Sequence, residues 1–222
     1  LTDVMVRWNP KNGDSKNYLL RPENPTLVLA SESSQTSSYL LVGIEHLIFG
    51  IDHVLFVLLL MYFVTGFTNL VKVITSFTVA HSITLGLSAF DIVSVAQSPV
   101  EALIALSIVM LAYEAVGARN SLLHKLPWLI AFIFGLLHGL GFAGALAEIG
   151  LPESTAVLAL FLFNVGIEVG QIVIISIALS LITVSKKLVT IPSNAVTIPI
   201  YLIGGISTYW FIDRSLQVFG LA

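Results

Sequence analysis

Three features of the sequence predict an all-α polytopic membrane protein. Of the 222 residues, 56% are hydrophobic and only 10% are charged. The mean hydropathy is +0.95. Apolar windows of about 20 residues, the length needed to cross a hydrocarbon core of about 30 Å, recur along the chain. The expected architecture is therefore six transmembrane helices over residues 39–222, preceded by a polar extracytoplasmic juxtamembrane segment at 1–38.

That first segment is punctuated by Pro10, Gly13, Pro22 and Pro25. VMVRW (4–8) and TLVLA (26–30) are β-branched and apolar, the composition of short strands. The segment reads either as a juxtamembrane arm or as the end of a larger β-rich domain. A Ser-rich stretch at 31–38 then leads into the membrane. The six apolar spans fall at about 40–65, 69–90, 99–117, 127–147, 154–182 and 196–219, and their short connections make neighbours antiparallel.

Orientation follows from the basic residues. The first, third and fifth connections and their flanks hold Lys72, then Arg119 and Lys125, then Lys186 and Lys187. The second and fourth hold only Asp91, or Glu148 and Glu153. By the excess of Lys and Arg in cytoplasmic loops, both termini are placed outside a bacterial-type plasma (inner) membrane.

Against this apolar background the run GIEHLIFGIDHVLFVLLL (43–60) stands out, because it carries Glu45, His46, Asp52 and His53. Ionisable groups at membrane depth cost several kcal/mol unless paired, hydrated or bound, so they are functional candidates. On a continuous helix His46 and His53 share a face, roughly 20° apart and about 10 Å apart along the axis. At 1.5 Å per residue from the outer end of each span, His46 lies roughly 6 Å deep and Asp52 and His53 roughly 16 Å. The same count puts His81, His138 and Glu168 roughly 14–20 Å deep. Four of the five histidines are thus intramembrane.

The set His46, Asp52, His53, His81, His138 and Glu168 is the expected metal site. A buried hydrogen-bonded network is the structural alternative, but locking helices together does not require so many costly groups. Asn164, Glu168 and Gln171 follow the i, i+4, i+7 pattern of one helical face. Glycines at spacing four bracket His138 (Gly135, Gly139) and Glu168 (Gly166, Gly170), which permits close helix approach. The pattern GxxH occurs at Gly43–His46 and again at Gly135–His138. With three helices between the two copies, it suggests an inverted 3+3 repeat with its site at the midplane.

The chain contains no cysteine, which excludes disulfides and thiolate ligands. Imidazole and carboxylate ligands suit nickel, cobalt or zinc rather than copper(I). A net charge of −3 gives no footprint for nucleic acid.

The His46-x5-Asp52-His53 motif, the His138-Gly139 pair, and the segments SFTVAHSITL, LAYEA and FNVGIEVGQ together resemble the HupE/UreJ family of nickel/cobalt permeases over residues 40–220. The resemblance implies metal binding by His46, Asp52, His53 and His138. The polar N-terminal segment resembles the branch with an extra extracytoplasmic domain. The chain departs from the family's fourth-helix motif, in which a further histidine and a glutamate follow the His-Gly pair; here LGFAGALAE follows.

The expected function is that of a secondary permease for a divalent transition-metal ion, nickel or cobalt. The ion is substrate rather than cofactor, and zinc is also compatible with the ligands. No nucleotide-binding motif is present, so the chain is not itself an ATPase. The competing reading is an intramembrane zinc-dependent hydrolase, in which Asp52 or Glu168 serves as general base; a metal-sensing or scaffold protein is the third. Partners are the metal ion and the lipid bilayer, with a homo-oligomer or a metalloenzyme-maturation protein left open. Glu45 and Glu101 are expected to line an outer acidic vestibule, and Glu114 an inner exit.

Overall fold

The computed structural model describes residues 4–8, 16–20, 32–117, 122–142, 155–189 and 196–220. TLVLA at 26–30, the loop residues Arg119, Glu148 and Glu153, and residues 143–147 of the fourth expected span lie outside them. The chain divides into two compact units, Leu1–Gln35 and Thr36–Ala222. In the first, strands β1 (Val4–Trp8) and β2 (Lys16–Leu20) pair antiparallel, with Val4 opposite Leu20 and Trp8 opposite Lys16.

The second unit is helical. Its elements are α1 (Glu32–Phe49, whose first turn precedes the unit), α2 (Ile51–Phe63), α3 (Phe67–Ala89), α4 (Gln97–Val116) and α5 (Leu122–Lys125). They are followed by α6 (Pro127–Gly141), α7 (Ala156–Leu188) and α8 (Ile198–Val218). Three of them, α3, α4 and α7, are each long and apolar enough to cross a bilayer. The α1–α2 pair makes a fourth such span if its two arms, bent by 72°, are taken together. Helix α6, with 15 described residues, is apolar but shorter.

The expected first span therefore differs from a single rod: it breaks at Gly50. There ψ is 86°, far from the helical value near −42°. A Cβ at this position would lie 2.7 Å from the His46 carbonyl oxygen and 2.9 Å from His53 Nδ1. Only a residue without a side chain allows the chain to turn there while the histidine ring folds back over it.

Two apolar clusters hold the bundle. One joins Phe56, Leu59 and Leu60 of α2 to Ile74 and Phe77 of α3, Ile108 and Leu111 of α4, and Ile175 of α7. The other joins Tyr39 and Leu47 of α1 to Leu85 of α3 and to Leu160, Phe163 and Ile167 of α7. Burying a side chain of this size contributes roughly 1.5–3 kcal/mol in water, a gain that shrinks for surface which would otherwise face lipid. Close packing in the bilayer must then rest on shape, and the glycines supply it. Gly43 of α1 sits against the Phe163 carbonyl and Gly166 of α7 against the Leu40 carbonyl, so these two backbones touch. Gly135 and Gly139 of α6 press in the same way on the backbone of α3 at Phe77 and His81.

Candidate metal centre

The 72° bend at Gly50 turns the end of α1 towards the start of α2, so residues seven apart in sequence become neighbours. The His46 and His53 ring centroids are 4.8 Å apart, against about 10 Å along an unbroken helix. His46 is therefore not an outer approach to a deeper His53, as a continuous helix implies. Both belong to one cluster.

Helices α3 and α6 add one histidine each. The His81 centroid lies 6.0 Å from that of His53 and 6.3 Å from that of His46. The His138 centroid lies 5.0 Å from that of His53. His46, His53 and His81 each offer a ligand atom within 4.8 Å of the other two. With metal–nitrogen bonds of about 2.1 Å, tetrahedral ligand atoms stand roughly 3.4 Å apart, so small side-chain movements close the shell. The backbone contacts of Gly135 and Gly139 with α3 are what bring His138 within reach of this group.

Phenylalanines wall the cluster. Phe142 and Phe163 stand 3.9 and 5.4 Å from His46, and Phe56 and Phe77 stand 5.4 and 5.2 Å from His138. His53, His81 and His138 are buried, and His46 is half-buried.

The hydrogen bonds sort the ring nitrogens by task. His53 Nδ1 lies 3.2 Å from Asp52 Oδ1, His81 Nδ1 lies 3.1 Å from Asn164 Oδ1, and His138 Nδ1 lies 2.8 Å from the Phe134 carbonyl oxygen. The Asn164 amide is oriented because its Nδ2 donates to the Leu160 carbonyl at 2.8 Å. In all three pairs an oxygen accepts, so the imidazole must donate from Nδ1. Nε2 of a neutral ring is then left with its lone pair.

Nε2 of His46, His53, His81 and His138 is buried, and none has a hydrogen-bond partner among the described residues. Leaving a buried polar atom unpaired costs about 1–3 kcal/mol, so four together are expensive for a purely structural network. Oxygens that orient Nδ1 while Nε2 stays bare form the outer-shell pattern of metal-ligating histidines.

Asp52 occupies the first turn of α2, where the helix dipole favours a carboxylate. Its Oδ1 also accepts from the His53 backbone N–H at 3.0 Å. The Asp52 side chain retains 28% exposure against 5% for His53, so it is the more open of the two. It borders a cavity of about 10 Å³ lined also by Glu101, Ile104, Ala105, Trp210 and Arg214. Arg214 Nε donates to Glu101 Oε2 at 2.9 Å, and the guanidinium lies 5.5 Å from the Trp210 ring centre. An ion pair between α4 and α8 thus borders this side, while Glu45 is exposed on α1.

Of the sequence-derived candidates, His46, Asp52, His53, His81 and His138 come together. Glu168 lies elsewhere: its carboxylate accepts a hydrogen bond from the Thr75 hydroxyl. Sequence reasoning passed over the phenylalanine walls and the ion pair of Arg214. It places Asn164 only on the polar face of its helix, whereas the structure makes it the group that orients His81. The signal available for Asn164 was its position one turn before Glu168 on the polar face. The phenylalanines carry no signal in a chain this rich in apolar residues.

A family model described as HupE / UreJ protein matches residues 23–214. No curated protein and no solved structure matches the chain.

Proposed function

The chain belongs to the HupE/UreJ family, and from that premise we propose that it is a secondary permease for nickel or cobalt whose ion-binding site is the histidine cluster. Four bare, buried Nε2 atoms on histidines gathered in an apolar surround carry this reading. Imidazole nitrogen suits both ions, and Asp52, through His53, offsets part of the ionic charge. Neutral imidazoles with a single carboxylate at the edge leave the bound ion partly uncompensated. A transporter needs this, because the ion must also leave.

In this reading the expected six-span arrangement applies, with both termini extracytoplasmic in the plasma membrane and with α6 and α8 completing the set. The ion approaches from the side of Asp52, Glu101 and Arg214. It sheds water as it reaches His53, is held by His46, His81 and His138, and leaves towards the end of α3 that carries Lys72. Uptake of radioactive nickel and cobalt into proteoliposomes tests the proposal. Wild type should accumulate the ion, and His53→Ala should lose uptake by at least about tenfold. Absence of uptake by wild type, together with zinc-dependent hydrolysis of a lipid or peptide, would falsify it.

A further inference from the structure

Helices α3 and α7 are joined by three polar pairs. His81 meets Asn164, Thr78 meets Gln171 and Thr75 meets Glu168. On α3 the three partners are spaced three residues apart. They therefore advance about 4.5 Å per step from the cluster, about 9 Å in all, towards the Phe67 end. The first pair orients a histidine. The other two have no part in the cluster and present oxygen.

Gln171 is fully buried, and its Nε2 has no partner among the described residues. Thr78 Oγ1 lies 3.1 Å from Gln171 Oε1 and also 3.1 Å from the Ile74 carbonyl oxygen. One hydroxyl proton cannot serve two acceptors. Turning the amide over resolves the conflict: Nε2 donates to the Thr78 hydroxyl, which donates to Ile74. The buried atom left bare is then an amide carbonyl oxygen.

Glu168 lies one helical turn before Gln171 on the same face of α7. It is only half-buried, and the Thr75 hydroxyl is its hydrogen-bond partner. It sits about 18 Å from the start of α7, well inside a hydrocarbon core of about 30 Å. A half-open carboxylate at that depth requires water or a cation.

We propose that Thr75, Thr78, Glu168 and Gln171 form a second, oxygen-lined station for a divalent cation on the α3–α7 seam, separate from the histidine cluster. This deepens the permease reading and rests on it for direction: the ion passes from imidazole nitrogen to a harder, weaker set of oxygen ligands before release. The binding site itself does not depend on transport.

Manganese(II), which prefers oxygen to imidazole, is the probe. Its binding to the full chain in detergent micelles is read by electron paramagnetic resonance. Cobalt(II) bound at the histidines is followed in parallel by its visible absorption. Wild type should bind both ions. Glu168→Gln should weaken manganese by at least about tenfold and leave the cobalt band in place. His53→Ala should do the reverse. If Glu168→Gln loses the cobalt band as well, the isosteric Thr75→Val carries the test, with manganese weakened a few-fold and cobalt unchanged. Wild type that binds no manganese, or manganese binding that survives Glu168→Gln or is lost with His53→Ala, overturns the station. Intact manganese binding in a protein that moves no nickel or cobalt overturns the permease reading and leaves the station standing.

Discussion

The first span and α7 both carry several polar residues through an apolar helix, and they use them in opposite ways. The α1–α2 span is broken at Gly50, and its 72° bend brings His46 and His53 edge-on to one another beside Asp52. Helix α7 is unbroken over 33 residues, and it strings Asn164, Glu168 and Gln171 along a face where each meets its own partner on α3. A break concentrates ligands, and a continuous helix distributes them. The first arrangement builds a site able to surround an ion; the second builds a row of steps leading from it.

Removing a ligand at the break should have the largest effect. His53 contacts His46, His81 and His138, so His53→Ala is expected to lower cobalt affinity by about 100-fold or more, measured by titration of the visible band. Closing the bend tests the same idea without touching a ligand. Gly50→Ala places a Cβ against the His46 carbonyl and the His53 ring, and should weaken cobalt by about 10–100-fold. If this variant binds cobalt like wild type, the bend does not assemble the site.

On the continuous helix the effect should be smaller and more specific. Asn164→Leu removes the acceptor that fixes the His81 tautomer, and should cost about tenfold in cobalt affinity. Asn164→Asp keeps an acceptor and should recover most of that loss, a rescue that a purely packing role would not give.

Gly166→Leu separates the two regions altogether, because its side chain would collide with the α1 backbone at Leu40. Overpacking of this kind costs about 1–3 kcal/mol, which should appear as a lower midpoint in thermal unfolding of the detergent-solubilised chain. The smallest expected change is that of Arg214→Gln. The Glu101–Arg214 pair is partly exposed, so its loss should lower stability by no more than about 1 kcal/mol in the same assay.

Much of this was legible in the sequence. Charge scarcity and apolar windows identify a helical membrane protein, and the costly residues identify the members of the cluster. Asp52, His53, His81 and His138 could be gathered by depth alone, because depth follows from counting residues along a helix; His46, roughly 10 Å shallower on that count, joins them only through the bend. Counting also placed Glu168 among them, at a similar height. Height does not say which way a residue faces, and Glu168 turns to Thr75 instead.

Composition and spacing are enough to put imidazoles and carboxylates, with no thiolate among them, in the apolar spans. The reason is compositional: apolar length sets what spans, and a missing residue type cannot supply a ligand. Packing between helices is what bends the first span, holds three Nδ1 atoms against Asp52, Asn164 and Phe134, and leaves four Nε2 atoms bare among the described residues. Those outcomes depend on one backbone angle at Gly50 and on the glycine contacts that bring α6 onto α3 and α7 onto α1. They are relations between helices, and no count along a single helix contains them.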